Sequence, residues 1–225
     1  MIKTLIFDFD GTLASTAEGI HACMCETFHA FGYPRPSLAD VRKTIGLLLE
    51  PSIRQLIPND GRESRIPAML ALYRELYHAK APAMSHLFEG AAETLALLRS
   101  LGMQMILVSN KGRRGLKQLT EHLKIKDDMD VILGMDDVAY RKPDARLFTE
   151  HIARYSPDRK QVLMVGDTET DLLFARNAGL QSCWAAYGYG DAEKCRALEP
   201  DFVIRDITEL AALVSSQAPP RRALP

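Results

Sequence analysis

A largely apolar stretch from Met1 to Phe7 stops abruptly at Asp8-Phe9-Asp10-Gly11-Thr12. A run this short reads as a buried strand, and the glycine after the acids as the turn that ends it. On extended backbone, residues i and i+2 point to the same side, so Asp8 and Asp10 are predicted to share one face beyond the strand. Two carboxylates held that close resist joint ionisation unless a cation lies between them or one keeps its proton. Either arrangement supports chemistry, with one acid as nucleophile or metal ligand and the other as general acid or base. Asp and Gly are also ordinary turn residues, so the pentapeptide alone leaves a purely structural reading open.

The rhythm of the remaining chain sets the fold class. Apolar runs recur at Ile2–Phe7, Gln104–Val108, Val131–Leu133 and Gln161–Val165, with a weaker one at Gln181–Ala186, each ending in polar or glycine-rich sequence. Segments with helical spacing lie between or beside them, including 91–101, 115–123, 145–155 and 171–178. Alternation at this interval predicts an α/β fold with a Rossmann-like parallel sheet and helices on both faces. Gly102 and Gly179 follow helical segments and read as C-terminal caps. Residues 15–83 break the rhythm: apolar residues fall at helical spacing, no strand is evident, and Pro/Gly clusters mark loops. They are predicted to form an inserted α-helical subdomain. The core is then 1–14 together with 84–215, and 216–225 is expected to be a disordered tail because of its Pro- and Arg-rich sequence.

Composition excludes several classes. A formal net charge of −1 gives no general electrostatic reason to bind nucleic acid or an acidic membrane. No stretch reaches the roughly 20 apolar residues of a membrane span, and no signal-peptide pattern is present, so a cytoplasmic location is expected. Cys23 and Cys25 diverge around a predicted helix, and Cys183 and Cys195 complete an ordinary set of reduced thiols. The six histidines lack the spacing of a zinc site.

Further polar groups gather at strand ends. Ile106-Leu107-Val108 runs into Ser109-Asn110-Lys111-Gly112, where a hydroxyl, an amide and backbone N–H groups at a helix start could cradle phosphate. A plain Ser/Asn helix cap is the competing reading. Val162–Gly166 runs into Asp167-Thr168-Glu169-Thr170-Asp171, with Asp171 one turn beyond Asp167. Carboxylates from two strand ends make the oxygen-rich shell of a hard cation such as Mg²⁺. Acids favouring a helix dipole explain Asp171 equally well, but not the matching acids at Asp8. Lys142 precedes Pro143, which fits a first helical turn, and could bring a positive charge to phosphate and carboxylates.

Taken together and in order, these segments resemble the motifs of the haloacid dehalogenase-like hydrolase superfamily: Asp-x-Asp-Gly-Thr, a strand ending in Ser, a Lys, and Gly-Asp-x-x-x-Asp. The match runs over residues 1–205, and Ile45–Glu50 and Ala175–Leu180 are similar to the phosphoglycolate-phosphatase-like branch. The resemblance implies that the inserted helices are a small cap and that the chain is a Mg²⁺-dependent phosphatase of small organic phosphates. It casts Asp8 as the nucleophile forming an aspartyl-phosphate, Asp10 as acid and then base, and Lys142 as the group steadying Asp8. Mg²⁺ would be held by Asp8, the backbone carbonyl of Asp10 and Asp167, with Asp171 in support. Ser109, Asn110, Gly11 and Thr12 would bind the phosphoryl group. An acid at the position of Asp10 distinguishes phosphatases and phosphomutases, whose leaving oxygen needs a proton, from the superfamily's dehalogenases.

The implied partner is a small phosphorylated metabolite, and the sequence leaves monomer and homodimer open. Within enzymes the alternatives are a phosphosugar mutase and a pyrophosphatase. From another class, the alternative is a catalytically silent binding or regulatory domain, whose signature would be loss of Asp8, Asp10, Lys142 or Asp167. All four are present. His21, Arg42, Lys43 and Arg54 are candidate substrate contacts from the inserted segment, each with surface solvation as the stronger reading.

Overall fold

A computed structural model describes residues 1–58 and 63–216. The chain opens with β1 (Thr4–Phe7), turns through the acidic pentapeptide and forms the short β2 (Ala14–Ser15). Next come α1 (Ala17–Ala30), α2 (Leu38–Arg42), α3 (Leu49–Leu56) and α4 (Ile66–Lys80), and β3 (His86–Leu87) returns to pair antiparallel with β2. The rest alternates: α5 (Ala91–Ser100), β4 (Gln104–Val108), α6 (Arg113–His122), β5 (Val131–Leu133), β6 (Val162–Gly166) and α7 (Glu169–Ala178). It closes with β7 (Gln181–Ala185), α8 (Ala192–Ala197), β8 (Phe202–Ile204) and α9 (Glu209–Ser216).

The six-stranded sheet has the order β5-β4-β1-β6-β7-β8, with parallel pairing throughout. The expected α/β class is borne out. Alternate residues of the central strands feed two apolar layers. Leu5 and Phe7 of β1, Met105 and Leu107 of β4, and Leu163 and Val165 of β6 pack with residues of α5, α6 and α9. Ile6, Ile106, Val108, Val162 and Met164 face the other way, onto Phe174 and Ala175 of α7 and onto Phe148 and Ile152. Strands buried on both faces are apolar at nearly every position, which is why they read as near-continuous runs. The first layer continues without a break into α1 and α4 through Met24, Phe28, Met69 and Tyr73.

Several expectations need correction. Residues 145–155 do not form an α-helix; the middle of the segment is a π-helical turn over Phe148–Ile152 whose apolar side still reaches the sheet. Pro143 follows a cis peptide bond in a turn rather than opening a helix, and the Asp144 carboxylate accepts from the Arg146 N–H instead. The edge strand β8 and the β2–β3 pair are absent from the expected pattern, being two or three residues long. The expected tail begins inside α9, which includes Ser216; residues 217–225 lie outside the described residues. Gly102 and Gly179 do end helices in left-handed conformation, at φ 74° and 66°. Among the described residues, no helix is long and apolar enough to cross a membrane.

Phe174 has no exposed surface and fills the second layer. Phe174→Ala is expected to cost about 3–5 kcal/mol through lost transfer energy and the cavity left behind. The measurement is the shift in the urea unfolding midpoint at unchanged slope; a shift worth under about 1 kcal/mol would contradict the layer assignment.

Candidate active site

β1 lies between β4 and β6, in register Phe7 to Leu107 and Phe7 to Val165. Parallel strands end on the same side, so the residues that follow them emerge side by side. The Asp8 N–H continues the ladder by donating to the Val165 carbonyl at 2.9 Å, which places Asp8 next to the segment leading into Asp167. Phe9, wholly buried in the first layer, anchors the backbone between the two acids.

Lys142 joins the group from the loop after β5. Its ammonium donates to Asp8 Oδ1 at 2.5 Å and to Asp171 Oδ1 at 2.6 Å, and its side chain is 2% exposed. Asp171 uses its other oxygen at the start of α7, where Oδ2 accepts from the backbone N–H of Thr168 at 3.1 Å and from its hydroxyl at 2.8 Å. Asp171 therefore closes a capping box at the start of α7 and at the same time pairs with Lys142.

Asp167 is wholly buried, with Oδ1 accepting from the Thr12 hydroxyl at 2.8 Å and Oδ2 from the Tyr189 N–H at 2.8 Å. The acid is enclosed by backbone. A Cβ at Gly11, which has φ +91°, would lie 2.2 Å from Asp167 Oδ2, and one at Gly188 would lie 2.2 Å from Asp167 Cβ. Glycine is required at both positions for the loops to approach this closely.

Asp10 stands apart from this cluster. Its Oδ1 accepts from the Thr16 hydroxyl at 2.6 Å, and its Oδ2 lies 3.1 Å from Lys111 Nζ. Each of the two acids has its own ammonium partner, Asp8 with Lys142 and Asp10 with Lys111. Lys111 also donates to the Tyr77 hydroxyl at 2.8 Å, linking the loop after β4 to α4. Ser109 and Asn110 are buried beside Asp8 and Asp10 on the floor of one cavity. The Ser109 hydroxyl accepts from the Lys111 N–H at 3.2 Å. The Asn110 amide donates to the Gly46 carbonyl at 3.0 Å and to the Lys142 carbonyl at 3.1 Å, so its N–H groups already clasp two loops.

The charges do not balance. Asp8, Asp167 and Asp171 offer carboxylate oxygens within 4.8 Å of one another, and the ammonium among them is that of Lys142. Burial pushes Asp8 up to about 7; Lys142 opposes the rise, while Asp171 and Asp10 add to it. Burial also lifts Asp167 well above the usual carboxylate range, with the charges of Asp8 and Asp171 reinforcing it. For Lys142 burial acts downward, but Asp171 and Asp8 outweigh it and the ammonium is held. A buried set of hard oxygen donors with unneutralised negative charge fits a divalent cation such as Mg²⁺. The side chain of Asp10 is outside this set, which leaves its backbone carbonyl as the group the expected ligand shell would draw on.

The sequence reading missed Lys111 as a site residue, although it directly follows Ser109-Asn110. It also missed Tyr187 to Gly190, an aromatic–glycine alternation just past β7. There Tyr187 Oη donates to the Thr12 carbonyl at 2.7 Å, and Tyr189 Oη accepts from the N–H groups of Thr16 and Ala17. The candidate contacts from the inserted segment fall elsewhere. His21 lies against the Pro36 carbonyl, Lys43 pairs with Asp40, Arg54 with Glu50, and Arg42 stands over the Tyr189 ring. None of the four lines the cavity, whose wall is instead built with Ile20, Met24, Ile45, Tyr73 and Tyr77.

Residues 5–185 match the family model described as haloacid dehalogenase-like hydrolase. The chain is 32% identical to a phosphoglycolate phosphatase of Vibrio cholerae serotype O1, covering 95% of this chain and 97% of that one. It is 29% identical to the pyrophosphatase PpaX of Halalkalibacterium halodurans, covering 96% and 99%. Among solved structures, a haloacid dehalogenase-like family hydrolase from Streptococcus pneumoniae superimposes with a TM-score of 0.84 at 26% identity, covering 95% and 98%.

The acid cluster makes the metal-free protein sensitive to pH. A carboxyl whose folded pKa is raised, as for Asp8 from 3.8 to about 7, contributes stability that is complete below the lower value and lost as pH rises through the upper one. Exposed acids with lowered values, such as Asp40 and Asp191, act only below this window. In EDTA the urea midpoint is therefore expected to fall between about pH 5 and about pH 8, and Mg²⁺ to raise it more at the higher pH. A midpoint that climbs over that range in EDTA would contradict the assignment.

Proposed function

Because the chain belongs to the haloacid dehalogenase-like hydrolase family, we propose that it hydrolyses a small organic phosphate monoester through an aspartyl-phosphate on Asp8. It is a phosphatase of that family, like the relatives it matches over nearly their whole length. The observation that carries the finer reading is the separate environment of two acids only two residues apart. Asp8 is fixed by a buried ammonium inside the acid cluster, whereas Asp10 is turned away from it toward Thr16 and Lys111. The surroundings suit different tasks.

Asp8 is the proposed nucleophile. Lys142 fixes the orientation of its carboxylate and keeps a positive charge beside it, which lessens repulsion from an incoming phosphoryl group. Asp10, held by the Thr16 hydroxyl within the same cavity, is proposed to protonate the leaving oxygen and then to take a proton from the water that hydrolyses the acyl phosphate. Ser109, the backbone of Gly11 and Thr12, and the loop held by Asn110 are the proposed phosphate contacts. Asp8 and Asp167, together with the Asp10 carbonyl, are the groups proposed to hold Mg²⁺, and Asp171 anchors Lys142 beside them. When bound, the ion would supply charge neutralisation and Lewis acidity at the phosphoryl oxygens. Residues 15–83 are proposed as a cap that closes the cavity and excludes water from the aspartyl transfer.

The test is turnover of an aryl phosphate with Mg²⁺. Activity is expected to vanish in EDTA and to fall by at least about 10³-fold in Asp8→Asn, as for removal of an attacking group. Acid quenching during turnover should leave a phosphoryl adduct on the peptide containing Asp8, seen by mass spectrometry. An active Asp8→Asn protein would refute the covalent route.

A further inference from the structure

The cavity above Asp8 has a volume of about 490 Å³. That is within the ~300–1,000 Å³ range of pockets that enclose a drug-sized molecule. At roughly 20–30 Å³ per heavy atom, scaled from water, the nine heavy atoms of 2-phosphoglycolate would fill about 180–270 Å³. About half of the space would then be left to water against the walls, so the character of the walls matters.

Opposite the polar floor the wall is apolar. Ile20 and Met24 come from α1, Ile45 and Leu47 from the loop after α2, Leu49 from α3, and Tyr73 from α4. The Tyr73 ring stacks on Tyr77 with 5.6 Å between centroids, so both rings are held in place at this side of the cavity. Two of the hydroxyls on the wall, those of Thr44 and Ser52, are committed to backbone carbonyls, and a third, that of Tyr77, accepts from Lys111. Thr44 donates to the Val41 carbonyl at 2.8 Å, and Ser52 to the carbonyls of Thr44 and Leu48 at 3.1 and 3.0 Å. The wall therefore presents little to a polyol.

It presents equally little to a second anion. Lys111 is the cation inside the cavity, and its ammonium is engaged by the Asp10 carboxyl at 3.1 Å and by Tyr77, whose ring centroid lies 4.4 Å away. A carboxylate or second phosphate would have to draw Lys111 off Asp10. At the mouth, exposed Arg74 and Arg114 are offset by Glu75 and Asp136. No surplus of positive charge marks a second anionic subsite.

We infer that the substrate is a phosphate monoester whose organic part is uncharged, ring-sized and apolar on one face, rather than a two-carbon acid or a pyrophosphate. This rests on the phosphatase reading above. The phosphoryl end would sit on the floor, and the ring would cover the wall formed by Met24, Ile45, Leu47 and Tyr73.

Three esters with alkyl leaving groups separate fit from leaving-group chemistry: 2-phenylethyl phosphate, ethyl phosphate and 2-phosphoglycolate, assayed with Mg²⁺ beside p-nitrophenyl phosphate and pyrophosphate. The expected result is a kcat/KM for 2-phenylethyl phosphate at least about tenfold above the other two esters and pyrophosphate, the scale of one good apolar contact. Leu47 is 40% exposed, so Leu47→Ser is compatible with folding; it should reduce the preference for 2-phenylethyl over ethyl phosphate at least threefold, mainly through KM. Turnover of p-nitrophenyl phosphate without that preference, or with 2-phosphoglycolate or pyrophosphate as the best substrate, overturns this inference alone. No turnover of any ester overturns the phosphatase reading with it.

Discussion

The ammonium of Lys142 between Asp8 and Asp171 is the contact on which the other features of the site depend. Desolvating an ammonium is costly and is offset only when well-placed carboxylates receive it. Here two do, within 2.5 and 2.6 Å, one from the end of β1 and one from the first turn of α7. The arrangement is possible because β1 and β6 are adjacent and in register, which brings their carboxyl ends to one point. Lys142 itself arrives on a loop and is held in place by the Asn110 amide on its own carbonyl. Sheet order, register and one side-chain clasp together set where a single charge sits.

That charge is insufficient for its surroundings. With Asp167 added, the cluster holds more carboxylates than cations, and burial and mutual repulsion drive Asp8 and Asp167 toward protonation. A fold selected for stability alone would not gather them. The cost is tolerated by tight construction: glycines at 11 and 188 let backbone approach Asp167, and the Thr12 hydroxyl and Tyr189 N–H satisfy its oxygens. Lys111 gives Asp10 a counter-charge of its own.

Much of this was legible in the sequence, for a physical reason. Strands buried on both faces leave continuous apolar runs, and a polar residue that interrupts such a run at its carboxyl end has few structural excuses. Asp8, Ser109 and Asp167 stand out on that ground. Lys142 was legible only by resemblance, because a lysine before a proline looks like surface. β8 escaped because it is three residues long with Val203 48% exposed, so its pattern is that of an edge. Lys111 and Tyr187 to Gly190 escaped because their roles come from contacts across the chain, Lys111 with Tyr77 and Tyr187 with Thr12, which spacing along the sequence does not encode. The charged residues singled out in the inserted segment lie outside the cavity, as their stronger reading of surface solvation has it: charge marks solvent there, and the cavity takes the apolar side.

The Asn110 side chain joins the carbonyl of Gly46, in the helical insertion, to the loop that carries Lys142. One amide thus reports the position of the insertion to the base of the acid cluster, and swinging the insertion outward would break the first of its two bonds. Such a link acts in both directions with equal free energy. Whatever tightens the floor of the cavity must draw the insertion inward, and whatever pries the insertion away must loosen the floor. Entry of a ligand and assembly of the groups that receive it are then one equilibrium viewed from two ends.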